Sequence, residues 1–341
     1  MLSPYGEKAK KFKDGLIDLS QGTPVDATPK FIQDALIASA DSPSYPLTIG
    51  TAELRSAMRN WAINKLGATG DFDVLPTIGS KEFVAWLPTF LQAKSVLYPE
   101  VAYPTYLVGS IIAGAKSKAV GISANSWPKA DLAWINSPAN PTGQVQTMPE
   151  LKAVLAWSRQ HGAVVASDEC YLSFAKEAFS ILAVANGDNT NLISVHSLSK
   201  RSNLAGYRAA FIVGDNKLIA QIREFRKHAG MMVPLPVQWA MVAALSDENH
   251  VVQQNNRYSQ RREVLKVALE KSGFKIEFSE AGLYIWCSRS EDCWKTVDWF
   301  ADRGVLVTPG VFYGEFGSKY VRIALTATDE NIAKTAERIL T

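Results

Sequence analysis

An α/β fold, with a mostly parallel sheet flanked by helices and a smaller α+β unit attached, is what this sequence predicts, and three observations carry the prediction. Between about residues 45 and 235, short apolar runs alternate with longer segments of helical periodicity, the pattern of strands covered by crossover helices. From 247 to 271 a polar-rich helix, opened by Ser246 or Asp247 and stopped by Gly273, separates that unit from a C-terminal α+β stretch. The chain is also long enough, at 341 residues with 47% hydrophobic content, to bury a large core over two or three domains. The expected division is a large unit over 45–245 and a small unit made of 1–44 and 246–341, connected by the long helix.

In chain order, residues 95–98, 132–136, 163–167, 192–196 and 209–213 are apolar runs that each close near a polar or Gly/Pro-containing turn, and they read as buried strands. Residues 148–160 read as one of the helices between them. There is no internal repeat and no low-complexity tract.

Composition excludes several function classes. A net charge of +3, spread along the chain, argues against a nucleic-acid surface, and Lys8, Lys10, Lys11 and Lys13 read as a solvated N-terminal face. Cys170, Cys287 and Cys293 are too few and too irregularly spaced for a disulfide framework or a zinc site, and His161, His196, His228 and His250 lack ligand spacing, so no metal is expected. The N-terminal segment has no apolar signal core and no run of about 18 apolar residues could span a bilayer. A cytoplasmic setting without membrane partners is the expectation.

Chemistry concentrates in SLSKRSNLAGYR, residues 197–208. Lys200 follows the apolar run 192–196, and so would emerge at the carboxyl end of a strand, where open α/β sheets bind ligands. A lysine there can hold an aldehyde cofactor such as pyridoxal phosphate as a Schiff base, while Ser197, Ser199 and Arg208 supply donors to its phosphate. Upstream, a glycine turn at 78–82 opens an apolar-periodic helix whose free N–H groups suit the same phosphate, which makes Ser80 and Lys81 candidates. A simple helix cap by Ser80 is the structural alternative.

These segments, with four more in matching order, resemble the fold type I pyridoxal-phosphate enzymes of the class I and II aminotransferases, and the resemblance spans 18–328. In AYPTY the resemblance puts Tyr103 on the face of the pyridine ring. In NSPANPTG and SDECY it implies that Asp168 pairs with the ring nitrogen and that Asn140 and Tyr171 hydrogen-bond the phenolic oxygen. In YVRIAL it makes Arg322 the fork for the substrate α-carboxylate, assisted by Asn140 and the backbone at Gly22 in LSQGTPVD. Tyr45 matches a tyrosine sent across a dimer interface to the phosphate, which implies a homodimer with shared active sites. The first 40 residues are expected to pack onto the small unit, and Thr23, Asp26 and Tyr284 to lie near the site. Taken singly, Asn140 also fits a turn, Asp168 a helix cap, Tyr103 and Tyr171 core packing, and Arg322 an exposed edge strand.

The stretches LSQGTPVD, IGSKE, SLSKRSNLAGYR, EAGLYIW and VRIALTATDE look closer still to actinobacterial-type N-succinyldiaminopimelate aminotransferases. That implies ping-pong amino transfer between N-succinyl-LL-2,6-diaminopimelate and 2-oxoglutarate in lysine and diaminopimelate biosynthesis, with catalytic Lys200, Asp168 and Tyr171. The alternatives are an aminotransferase for aspartate, aromatic amino acids or LL-diaminopimelate, a β-lyase on the same scaffold, or a non-catalytic ligand sensor. Retention of both Lys200 and Asp168 argues against the sensor.

Overall fold

A computed structural model describes residues 2–341. Its larger sheet has seven strands in the order Asp73–Ile78, Ala209–Gly214, Leu192–Ser197, Val164–Asp168, Leu132–Asn136, Ser95–Pro99 and Lys116–Val120. Ala209–Gly214 is antiparallel to both neighbours and every other pairing is parallel, so six strands share one direction. Their side chains alternate between two apolar cores, as the two-residue period of a strand requires. Leu132 and Trp134 enter one core with Ile193 and Val195, while Ala133 and Ile135 enter the other with Val165 and Leu192.

The expected strands fall within a residue of those observed, but the sheet's two edges lie outside them. Lys116–Val120 is exposed over its first four residues and carries two lysines, and Asp73–Ile78 contains Pro76. An edge strand uses only one side of its hydrogen-bonding ladder, so it tolerates lysine and proline that break an apolar run.

The smaller sheet is antiparallel, in the order Thr308–Pro309, Val321–Ala324, Tyr284–Ser288 and Lys275–Ile276. It packs on the helices Asn249–Lys271, Cys293–Ala301 and Asp329–Leu340 around Leu265, Val297, Phe300 and Ile332. The long helix starts two residues later than expected, and Asp247 still caps it by accepting the His250 N–H at 3.0 Å.

Residues at the N-terminus divide between the two cores, which corrects the expectation that 1–44 belongs to the small unit. Ile17–Asp18 pairs in parallel with Val305–Leu306, and Ile17 and Leu19 enter the smaller core. The helix Lys30–Ala38 instead lays Ile32 and Leu36 into the larger core, beside Leu235–Ser246, because its apolar face finds its partners there. Gly22 lies on the crossing between them. Among the described residues no helix is long and apolar enough to cross a membrane.

Candidate active site

At the carboxyl ends of the parallel strands a cavity of about 790 Å³ opens between the two units. Gly22, Ser80, Lys81, Tyr103, Asn140, Asp168, Tyr171, Ser197, Ser199, Lys200, Arg208 and Arg322 all line it. Of the residues singled out in the sequence for the site, two stand apart: Tyr45, 93% exposed to solvent, and Asp26, which lies outside the lining with its carboxylate paired to Arg257 and Arg261 at 2.8 Å. The edge-strand alternative for Arg322 fails, since Val321–Ala324 is an inner strand and Arg322 is 7% exposed.

One end of the cavity is built for an anion. Gly79, with φ 75°, turns the chain into the helix Ser80–Phe90, whose first-turn N–H groups lack intrahelical partners. A Cβ on Gly79 would come within 2.1 Å of Arg208 Nη2, so the missing side chain is what lets the guanidinium reach this turn. Arg208 itself is left-handed at φ 57° and is steadied by donating through Nη1 to the Ala205 carbonyl at 2.8 Å. Ser197 closes the strand Leu192–Ser197, and its Oγ accepts the Ser199 N–H at 3.2 Å, starting the short helix Leu198–Arg201.

Lys200 sits on that helix and donates from Nζ to the Gly22 carbonyl. Burial disfavours its ammonium form and lowers its pKa, while Tyr284 and Cys170 oppose the shift. Gly22 has no space for a side chain, because a Cβ there would stand 2.1 Å from Tyr284 Oη. Tyr284 Oη is in turn 3.2 Å from Tyr171 Oη, and burial pushes the Tyr171 hydroxyl far above its ordinary pKa, with Tyr284 adding to the shift.

Asp168 ends the strand Val164–Asp168 and is 6% exposed, with no cationic side chain within 4.0 Å among the described residues. Burial raises its pKa. Three donors oppose that shift, the Cys170 thiol first, then the Tyr106 hydroxyl to Oδ2 at 2.8 Å and the Cys170 N–H to Oδ1 at 3.2 Å. Asn136 fixes the backbone alongside, donating to the Asp168 carbonyl at 2.8 Å and accepting the Asn140 N–H at 2.8 Å.

The far end presents Arg322. Its Nη1 donates to Asn140 Oδ1 at 3.0 Å and its Nη2 to the Ser20 carbonyl at 2.6 Å, and the guanidinium lies 4.1 Å over the Tyr284 ring. Nε has no partner and no carboxylate lies within 4.0 Å among the described residues. A buried, unpaired guanidinium of this kind calls for an anionic ligand.

Sequence reading passes over four residues here. Tyr106 lies in the same AYPTY stretch as Tyr103 and carries no signal of its own; Cys170 lies within SDECY; Phe312 and Tyr313 reach the cavity from Gly310–Tyr313, which carries no local chemical signature. Beside Asp168, the next residue is also ionisable and buried. Glu169 accepts the Ile181 N–H through Oε1 at 2.9 Å, and its Oε2 stands 3.7 Å from His196 Nε2. Burial pushes Glu169 up to about 7 and His196 down to about 3.

The residues present fit pyridoxal phosphate. Gly79 leaves a cradle at the helix start for a phosphate, Lys200 offers an amine that burial keeps from holding its proton tightly, and Asp168 offers a buried carboxylate lacking a counter-cation for a protonated ring nitrogen.

Comparison with known proteins leads to the same chemistry. The family of class I and II aminotransferases matches residues 14–339. A 4-dedimethylamino-4-oxo-anhydrotetracycline transaminase of Streptomyces rimosus is 49% identical, over 99% of this chain and 97% of that one. A probable aminotransferase of Mycobacterium tuberculosis is also 49% identical, over 96% of this chain and 80% of that protein. Among solved structures, a probable N-succinyldiaminopimelate aminotransferase from Thermus thermophilus superposes with a TM-score of 0.90 at 26% identity, covering 99% of this chain and 98% of that one.

Proposed function

This chain belongs to the class I and II aminotransferases, enzymes that depend on pyridoxal phosphate, and from that premise we propose that it transfers the amino group between N-succinyl-LL-2,6-diaminopimelate and 2-oxoglutarate. The observation that carries an α-amino acid substrate is Arg322, buried, without a counter-ion and with Nε unpaired. The succinylated substrate draws its support from the motif resemblance and from the likeness to the probable N-succinyldiaminopimelate aminotransferase of Thermus thermophilus. A cavity of about 790 Å³ is compatible with a long acylated amino acid beside a cofactor.

Bound in the cavity, pyridoxal phosphate supplies the electron-withdrawing ring on which amino transfer depends. Ser80, Lys81, Ser197, Ser199 and Arg208 would hold its phosphate, joined by Tyr45 of a second copy. Tyr103 would pack on the ring face, Asp168 would face the ring nitrogen, and Asn140 and Tyr171 would serve the phenolic oxygen. Lys200 would carry the covalent attachment and, when free, accept the substrate α-proton on Nζ; burial helps by keeping the amine unprotonated more of the time. Arg322 would fix the α-carboxylate of donor and acceptor in turn, so the two substrates would alternate at one fork in a ping-pong order.

A second reading has its own support. The Streptomyces rimosus relative is named for a polycyclic 4-oxo acceptor, and the wall of Tyr103, Tyr284, Phe312 and Tyr313 would suit a planar ketone. A donor and acceptor screen separates the readings. N-succinyl-LL-diaminopimelate with 2-oxoglutarate should outperform LL-diaminopimelate, aspartate, aromatic amino acids and glutamate with a polycyclic ketone. If any of these exceeds the succinylated substrate in kcat/KM by more than about tenfold, the specific assignment fails. Pyruvate release from cysteine-type substrates in the same screen would indicate β-elimination.

A further inference from the structure

We infer that Tyr106 is a positioning residue for Asp168, aiming the carboxylate and keeping it ionised through one hydrogen bond donated by its hydroxyl. The inference rests on the reading of Asp168 as the partner of the cofactor's ring nitrogen. Asp168 is a carboxylate withdrawn from water with no cationic side chain within 4.0 Å among the described residues. Such a group drifts toward its neutral form unless donors hold the charge. The Cys170 thiol and N–H serve the carboxylate from one side, the N–H to Oδ1 at 3.2 Å, and the Tyr106 hydroxyl serves Oδ2 at 2.8 Å.

Everything around Tyr106 holds that hydroxyl in place. The residue lies in the first turn of Thr105–Ile112 and is fully buried. Its ring stacks on Trp134 at 5.0 Å between centroids and meets Tyr103 edge-on at 5.8 Å. Burial, with the Asp168 charge adding to it, pushes its own pKa far up, so the hydroxyl stays a donor across the working pH range. One side chain thus ties together Tyr103, placed to pack on the ring face, and Asp168, placed to meet its nitrogen.

Tyr106→Phe removes the donor and keeps the stack. In the holoenzyme, kcat should fall roughly 10- to 100-fold, the span expected for a lost hydrogen bond to a charged group, with little change in KM for the amino donor. The dissociation constant for pyridoxal phosphate, titrated on the apoenzyme by tryptophan fluorescence, should rise. The pH midpoint of the bound cofactor's visible band should also rise, because a less firmly protonated ring nitrogen withdraws less charge from the lysine-bound end. The decisive comparison is a double-mutant cycle with Asp168→Asn. If Tyr106 acts through Asp168, adding Tyr106→Phe to Asp168→Asn costs nothing further; losses that simply add would show a merely structural role and overturn the inference. A Tyr106→Phe enzyme with wild-type kcat and an unmoved midpoint would overturn it too. If Asp168→Asn itself left rate and midpoint untouched, the reading of Asp168 would fail instead, and circular dichroism of each variant separates either outcome from misfolding.

Discussion

Replacing Glu169 by glutamine tests how the protein tolerates two adjacent buried acidic residues, of which Asp168 lines the cavity and Glu169 lies behind it. Glu169 is buried, one oxygen accepts a backbone N–H at 2.9 Å, and the other has no hydrogen-bond partner. Burial is the main reason its pKa rises from an ordinary 4.5 to about 7, and the neighbouring Asp168 charge adds to it. The nearby His196 offers no compensating charge, since burial and Arg201 hold it neutral down to about pH 3. A carboxyl with a raised folded-state pKa stabilises the fold fully below its unfolded value, and loses that contribution as pH climbs through the folded value. The window is therefore about pH 4.5 to 7. At about 1.4 kcal/mol per tenfold in proton affinity, the interval corresponds to up to ~3 kcal/mol. Glutamine cannot titrate, and its carbonyl can still accept the Ile181 N–H, so the variant should gain on wild type by ~3 kcal/mol at most between pH 4.5 and pH 8. Urea midpoints followed by circular dichroism, measured on both apoproteins at matched ionic strength, read the difference while other carboxylates cancel. A stability difference that stays constant across that range would refute the argument.

Three further outcomes follow from the cavity. Arg322→Ala should lower kcat/KM for both amino donor and oxo acid by roughly 30-fold or more, because both use one buried fork; stopped-flow half-reactions in which only one suffers would separate their sites. Gly79→Ala should weaken pyridoxal phosphate binding, since the new Cβ would stand 2.1 Å from Arg208 Nη2 at a residue with φ 75°; an unchanged dissociation constant would show that Arg208 swings aside without loss. Equal amounts of an inactive Tyr45→Ala protein and an inactive Lys200→Ala protein, mixed and allowed to exchange subunits, should recover about a quarter of wild-type activity, because each hybrid dimer assembles one intact site and about half the dimers are hybrids. Verified exchange without recovered activity would exclude the shared site.

What the sequence reveals of this protein depends on how far apart the cooperating residues lie. The residues proposed to hold the cofactor sit at the carboxyl ends of inner strands, where an apolar run gives way to a few polar residues, so Asp168, Ser197 and Lys200 can be located from short windows. Edge strands escape the same test because Lys116, Lys118 and Pro76 break the apolar pattern that burial on both faces would impose. The helix Lys30–Ala38 is misplaced by sequence reading for a related reason: its apolar face is legible, but which of two cores receives it is not. Tyr106 shows a third kind of blindness. A tyrosine in a helical, apolar window is read as packing, and packing is what its ring does; only the strand beside it reveals that its hydroxyl meets a carboxylate 62 positions along the chain.

At the substrate end the distances grow. Arg322 reaches Asn140 across 182 positions and Ser20 across 302, and Tyr284 closes on Gly22 from the other unit. No window contains these pairs, and the two made through Ser20 and Gly22 lie where the N-terminal segment leaves the smaller core after Leu19, on its way to the larger one at Ile32. That crossing places Gly22 between the Lys200 amine and the Tyr284 hydroxyl, so a change in how the two units sit would alter the substrate end while leaving the phosphate end, built within the larger unit, intact. On the proposed reading, specificity would belong to the seam between units and cofactor binding to the sheet. Substitutions along 19–26, 284 and 312–313 should consequently redistribute preference among donors and acceptors with little effect on cofactor affinity, whereas substitutions at 79–81, 197–199 and 208 should do the reverse; a variant of the seam that lost cofactor and kept its substrate ranking would contradict this division.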